Sequence, residues 1–135
     1  MIFSPAGCLK DMAIKKLNPY LMFDGTAEKA IKLYEAALGA KTEHVQRISE
    51  IPGAKPSPSS ERIIHAYLRI GEEALMISDS EAGSSVPTQS NVHVCLDFND
   101  AADMQKKFDA LAADGKVTMG IHDTFWGAKF GMLVD

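Results

Sequence analysis

Apolar residues follow two rhythms along this chain, one alternating and one helical, and the same short succession of them occurs twice. Leu17 to Phe23 is an apolar run of strand character, followed by Asp24-Gly25-Thr26, which joins turn residues to a helix N-cap. From Ala27 onward, Ala30, Ile31, Tyr34, Ala37 and Leu38 recur at helical spacing, and Gly39 is a natural stop, so the spacing predicts a helix over Ala27 to Leu38. Val92 to Phe98 repeats the opening as a second strand. Asn99-Asp100 then caps a helix that uses Met104, Phe108, Leu111 and Ala112 and ends at Gly115. Aligning Tyr34 with Phe108 gives an offset of 74 residues and aligning Gly39 with Gly115 gives 76, so the two halves repeat with a small insertion.

Three more strands are expected between the helices, at Lys41 to Ser49, Glu61 to Ile70 and Ala74 to Ser78. Pro52-Gly53 and the Ser/Pro cluster from Pro56 to Ser60 mark a loop, and Gly71-Glu72-Glu73 suits a hairpin turn. The first half therefore reads β-α-β-β-β. In the second half, Lys116 to His122 and Phe130 to Val134 are expected strands on either side of a loop, which leaves it one strand short. A tandem pair of compact α+β units fits this order better than a sandwich or a helical bundle.

Alternation assigns faces. Ile64, Ala66, Leu68 and Ile70 fall on one side of their strand, and Ile63, His65, Tyr67 and Arg69 on the other. In the second copy Val92, Val94, Leu96 and Phe98 oppose His93, Cys95 and Asp97. With the apolar sides packed under the helices, His65, Tyr67, His93 and Cys95 are expected to line one open-faced cavity.

Composition narrows the classes. At 135 residues, 46% hydrophobic and 24% charged, the chain has the balance of one soluble globular domain with room for a core. A net charge of -4 with scattered Lys and Arg argues against a nucleic-acid partner. No apolar run approaches the roughly 20 residues of a membrane span, so no membrane role is expected. Cys8 and Cys95 lack a close metal-binding spacing and are expected to stay reduced in a cytoplasm. Met1 to Asp11 has no signal-peptide pattern and reads as a disordered upstream extension, with Met12 an alternative start and 12–135 one domain, its modules spanning 17–80 and 90–135.

The densest feature is Asp123-Thr-Phe-Trp-Gly-Ala-Lys-Phe-Gly-Met132, which holds the single tryptophan. Gly127 and Gly131 permit backbone that other residues resist, and Phe125, Trp126 and Phe130 are expected to be buried or to wall a ligand. This run, with Asn18-Pro-Tyr-Leu-Met-Phe-Asp24, Ala27-Glu-Lys-Ala-Ile-Lys-Leu-Tyr34, Ile64-His-Ala66, Leu75-Met-Ile-Ser-Asp79 and Gly115-Lys-Val-Thr-Met119, resembles the PhnB-like branch of the vicinal oxygen chelate superfamily. That superfamily includes glyoxalase I, extradiol dioxygenases, and fosfomycin and bleomycin resistance proteins. The resemblance covers Leu17 to the end. It implies two tandem βαβββ modules enclosing a small-molecule cavity in a homodimer. It also implies, for catalytic members, a divalent metal held by His, Glu or Gln from the first and last strands of the modules.

Carried over residue by residue, only His93 matches a ligand position. Asn18 or Pro19 stands at its counterpart in module one, and Met76 and Ser78 stand where that module's last strand would supply a carboxylate. The matching last strand of module two falls past Asp135, so the expectation is a truncated, frame-shifted or partner-completed module and an oligomer. A metal site needs about three protein ligands, so no cofactor is expected, with a divalent metal at His93 the weaker alternative. The expected ligand pocket comprises Tyr20, His65, Tyr67, Met76, Ser78, His93, Cys95, Phe125, Trp126 and Phe130. Cys95 reads as an inert small hydrophobe, since His93 lies about 7 Å along the strand, too far for proton transfer. His44 and His122, on an edge strand and at a loop start, carry little weight.

Branch members are often labelled as ubiquinone-pathway methyltransferases, but no glycine-rich nucleotide loop is present to support methyl transfer, and there is no G-x-S-x-G elbow. Three classes of function remain: a small-molecule binder of unassigned activity, a metal-dependent lyase, isomerase or dioxygenase completed by a second chain, and a resistance-type protein that sequesters its ligand.

Overall fold

A computed structural model describes residues 16–135. The expected extension, the start at Met12 and Cys8 lie outside these residues. The described chain runs β1 (Tyr20–Phe23), α1 (Ala27–Leu38), β2 (Lys41–Arg47), β3 (Ile63–Ile70), β4 (Glu73–Asp79), α2 (Ala101–Ala112), β5 (Lys116–Asp123) and β6 (Lys129–Val134), with a short 3-10 turn at Ile48–Glu50. None of these helices is long and apolar enough to cross a membrane.

The first unit is the expected β-α-β-β-β. Its four strands form one sheet in the order β1-β4-β3-β2. Among the described residues β1 pairs only with β4, in parallel, with Tyr20 beside Met76 and Phe23 beside Asp79, while β4, β3 and β2 run antiparallel in turn. Helix α1 covers one side of this sheet. Ala27, Ala30, Ile31 and Tyr34 pack onto Ile63, Ala66, Leu68, Leu75 and Ile77, all buried, and Leu21, Phe23 and Val45 close the margins. Apolar burial at this density is the main favourable term of the unit.

Helix α1 starts and stops for different reasons. Gly39 adopts a left-handed conformation (φ 69°), and its N–H donates to the carbonyl of Glu35 at 3.2 Å, which is the expected glycine stop. The expected cap at the other end is absent, for Thr26 makes no side-chain cap hydrogen bond. Its role passes to Asp79 at the end of β4, whose Oδ1 accepts from the Ala27 N–H at 3.0 Å and whose Oδ2 accepts from the Ile63 N–H at 2.9 Å. One carboxylate thus joins β4, β3 and the positive end of α1. Arg62 completes the corner, donating to the carbonyl of Ser80 at 3.0 Å and to Asp24 at 2.9 Å.

Face assignment by alternation holds for Ala66 and Leu68, which are fully buried, and fails at Ile63, which was expected on the other side and is 1% exposed. A register shift between Gln46 and Arg47 sets Ile63 opposite Arg47 and breaks the parity there.

The second unit departs further from expectation. Val92–Phe98 forms no strand and its side chains are mostly exposed, Val92 at 75%. The reason lies in the first unit, where β1 is held solely by β4. No counterpart of β4 occurs among the described residues after β6, so an apolar, alternating segment has no ladder to join. Helix α2 does form, capped as expected by Asp100, whose Oδ1 accepts from the Asp103 N–H at 2.7 Å. It packs on β5 and β6 and against α1, and Leu111 reaches the first unit's core. The Tyr34 hydroxyl donates to Asp135 at 2.6 Å, tying α1 to the end of β6, and burial followed by the Asp135 carboxylate pushes the phenol above its usual range.

Two glycines of the second unit serve close approach rather than unusual backbone. A side chain at Gly115 would meet the carbonyl oxygens of Val134 and Leu111, and one at Gly131 would meet Ile121 and Phe108. Even so, every buried residue of the described chain lies between Ala27 and Ser80.

Replacing Asp79 by Ala leaves two amides without their acceptor and is expected to lower unfolding free energy by roughly 2–3 kcal/mol, with Asp79→Asn nearer 1 kcal/mol. Urea titration measures both. A loss no larger than that of an ordinary surface substitution would show that the carboxylate is not a structural joint.

Candidate functional site

The side of the first sheet away from α1 gathers the polar and aromatic residues that alternation set aside. Tyr20 stands beside Met76, and Met76 beside Tyr67, across three neighbouring strands. Ser78 is paired with Met22 on the same side and is 4% exposed. The Tyr20 and His65 rings are stacked at 6.1 Å between centroids with 21° between planes, and the His44 ring lies 6.0 Å beyond His65 at a tilt of 50°. Tyr20, His65, Tyr67, Met76 and Ser78, all expected at the pocket, are therefore neighbours on one surface.

His44 is the residue that sequence reasoning missed. Thr42 pairs with Leu68, and unbroken alternation would set His44 beside Ala66 in the core. A bulge at Glu43 inserts one residue, so His44 lies beside Tyr67 while Val45 takes the place beside Ala66. Nothing in the spacing of apolar residues marks a bulge, which arises from the pairing of two strands.

The bulged residue has its own role. Glu43 accepts from Arg69 through both carboxylate oxygens, at 2.9 and 3.2 Å, and Arg69 lies 5.7 Å over the Tyr67 ring. Arg69 holds the Glu43 carboxyl below the ordinary glutamate range, chiefly through this hydrogen bond. A hollow of about 400 Å³ opens beside the pair, lined by Gly39, Lys41, Glu43, Arg69 and Gly71. A second of about 260 Å³ lies among Ser49, Ala54, Lys55, Pro56, Ser60 and Glu61. Neither borders the Tyr20–His65–His44 row.

The remaining pocket expectations land elsewhere. His93 and Cys95 are exposed, and the Cys95 thiol points at Asp97, 3.9 Å away. Among the described residues no ring contact, hydrogen bond or hollow joins them to His65 and Tyr67. Phe125 and Trp126, expected to be buried or against a ligand, sit at the tip of the β5–β6 hairpin at 98% and 62% exposure, edge to face with each other at 4.8 Å. The tip is tightly made. Thr124 N–H donates to the Ala128 carbonyl at 2.7 Å, Thr124 Oγ1 donates to the same oxygen at 2.8 Å, Gly127 takes φ 83°, and Lys129 pairs with Asp123 at 2.8 Å. A turn this short cannot fold its aromatic residues back onto its own strands. Phe130 is 39% exposed and meets His122 edge-on at 6.4 Å.

Residues 16–135 match the Glyoxalase/Bleomycin resistance protein/Dioxygenase superfamily. The chain belongs to that superfamily. It is 33% identical to the protein YjdN of Escherichia coli K12 over 129 residues, covering 88% of this chain and 87% of YjdN. The crystal structure of PA1353 from Pseudomonas aeruginosa superposes with a TM-score of 0.79 at 32% identity, covering 89% of each chain. The PhnB protein of Bacillus cereus shares the fold, with a TM-score of 0.72 at 23% identity over 88% of this chain and 90% of that one. The two βαβββ modules of the superfamily correspond to the two units, the second shortened.

Catalytic members of the superfamily hold a divalent metal, and the donors present here do not fit one. The last strand of the first unit offers Met76 and Ser78, the first offers no His or carboxylate from Tyr20 to Phe23, and His93 stands apart from both. Among the described residues no group of three or more His, Cys, Asp or Glu converges.

The Glu43–Arg69 pair has a definite pH signature. Because the folded glutamate titrates below its unfolded value, its stabilisation is present above the unfolded value and is lost as pH falls through the lowered folded value. Glu43→Gln is expected to flatten the acid limb of a stability-versus-pH curve in that range. An unchanged limb would mean that the pair contributes nothing in solution.

Proposed function

We propose that this PhnB-like protein binds a small organic molecule on the helix-free face of its first sheet and works as a homodimer in the cytoplasm. The observation that carries the reading is the Tyr20–His65–His44 row, with Tyr67, Met76 and Ser78 alongside. The stacked Tyr20 and His65 rings offer surface to a flat ligand, methionine adapts to its outline, and imidazole and hydroxyl groups hydrogen-bond its oxygens or nitrogens. Binding without chemistry is sequestration, in which the ligand is released unchanged.

What the second unit leaves uncovered supports the dimer. Val117, Met119, Phe125, Trp126, Phe130 and Val134 are all more than a third exposed, and a second copy would bring to this surface the partner layer that a curled sheet needs to bury its apolar side.

A ligand-observed NMR screen of small aromatic and heteroaromatic fragments tests the site. Hits are expected to move the Tyr20, His44 and His65 signals and to lose at least tenfold in affinity in His65→Ala. Hits confined to the hollows at Arg69 or Ser60 would refute the reading. Light scattering is expected to give twice the monomer mass, falling to the monomer in Met119→Asp/Phe130→Asp, and a monomer at all concentrations for the unaltered chain would remove the dimer.

A further inference from the structure

Away from the first and last strands, where the superfamily places its metal, β2 and β3 bring two imidazoles together. His44 stands opposite Tyr67 and His65 opposite Gln46, so the two histidines are diagonal neighbours on the helix-free face, with ring centroids 6.0 Å apart. Gln46 lies two residues along β2 from His44 with no register shift between them, and so shares that face. His44 is exposed and His65 half-buried, and neither imidazole has a hydrogen-bond partner among the described residues. The other two histidines are placed differently. His122 engages the Gly120 carbonyl through Nδ1 at 3.0 Å, and His93 has no ring contact among the described residues.

The separation of the rings suits a shared ion. A metal about 2 Å from one nitrogen of each ring lies about 3 Å from each ring centre, so two rings that share it have centroids no more than about 6.5 Å apart. The observed 6.0 Å falls inside that limit. Rotation of the exposed His44 side chain closes the angle at the ion without moving either strand.

We propose that His44 and His65 chelate a borderline divalent cation of the Cu2+, Ni2+ and Zn2+ class, with the Gln46 side-chain oxygen as third donor and water in the remaining positions. Imidazole nitrogen selects these ions over Mg2+ and Ca2+. Holding the second ring on the neighbouring strand makes its ligation intramolecular. The bulge at Glu43 creates the site, because unbroken alternation from Thr42 would set His44 beside Ala66 in the core. The same glutamate meets the charge of Arg69, the next residue but one after Tyr67, through both carboxylate oxygens, so that guanidinium does not repel an arriving cation. The site requires no organic ligand on this face.

The probe is Ni2+, titrated into the full chain after treatment with a chelator and its removal, with no organic ligand present, and followed by calorimetry and by NMR of the histidine ring protons. One equivalent is expected to bind saturably and to broaden the His44 and His65 signals ahead of those of His93 and His122, while Mg2+ leaves all four unchanged. His44→Ala and His65→Gln, the latter keeping a polar side chain at the half-buried position, are each expected to weaken Ni2+ binding at least about tenfold, and Gln46→Ala about threefold. Amide signal dispersion reports that each variant is folded. No saturable binding at roughly millimolar Ni2+, undiminished binding by folded His44→Ala, or first broadening at His93 or His122 would each overturn the proposal. Fragment binding measured with chelator present bears on the organic-ligand reading alone, so the two readings fail separately.

Discussion

The parallel pairing of β1 with β4 is the contact on which the rest of the first unit depends. It joins the unit's first and last strands, so the helix between them is held over a closed sheet and not beside a loose hairpin. Asp79 lies at its end and converts the pairing into a cap for α1 and an anchor for β3. Around this joint the core fills, with Ala66, Leu68 and Ile77 wholly removed from water. Burial of branched side chains at such positions is where large-to-small changes cost most.

The second unit is the same plan without that joint. Its helix forms, since capping by Asp100 and helical periodicity are local, and its hairpin forms, since Thr124 and Gly127 build the turn locally. What fails to form is the part that needs a partner remote in sequence. Val92–Phe98 stays outside any sheet, no side chain beyond Ser80 is fully buried, and Val117, Met119, Phe130 and Val134 of β5 and β6 remain on the surface. The unit rests instead on its neighbour, through Leu111 in the first unit's core and through the Tyr34–Asp135 hydrogen bond.

The same contrast governs the candidate site. The row of Tyr20, His65 and His44 draws on three strands remote from one another in sequence, and it exists because β4 holds β1 in the sheet with β3. Glu43 contributes twice, as the bulge that turns His44 outward and as the carboxylate that seats Arg69 over Tyr67. The site is therefore a product of strand pairing, with the helices contributing only the opposite wall of the core.

The division between sequence and structure follows the range of the interactions. Ala27 to Leu38 with its Gly39 stop, the Asp100 cap, the strands β3 and β4, and the superfamily itself were all legible, because helical spacing, alternation, turn chemistry and the Asp123–Met132 run are properties of neighbours along the chain. Alternation also placed His65 and Tyr67 on the side away from the helix. Only the tertiary structure decided that Asp79 and not Thr26 caps α1, that a bulge brings His44 to His65, that Phe125 and Trp126 project from a turn too short to bury them, and that Val92–Phe98 is no strand. A strand is defined by hydrogen bonds to another segment, and a one-dimensional pattern can announce readiness to pair but cannot supply the partner.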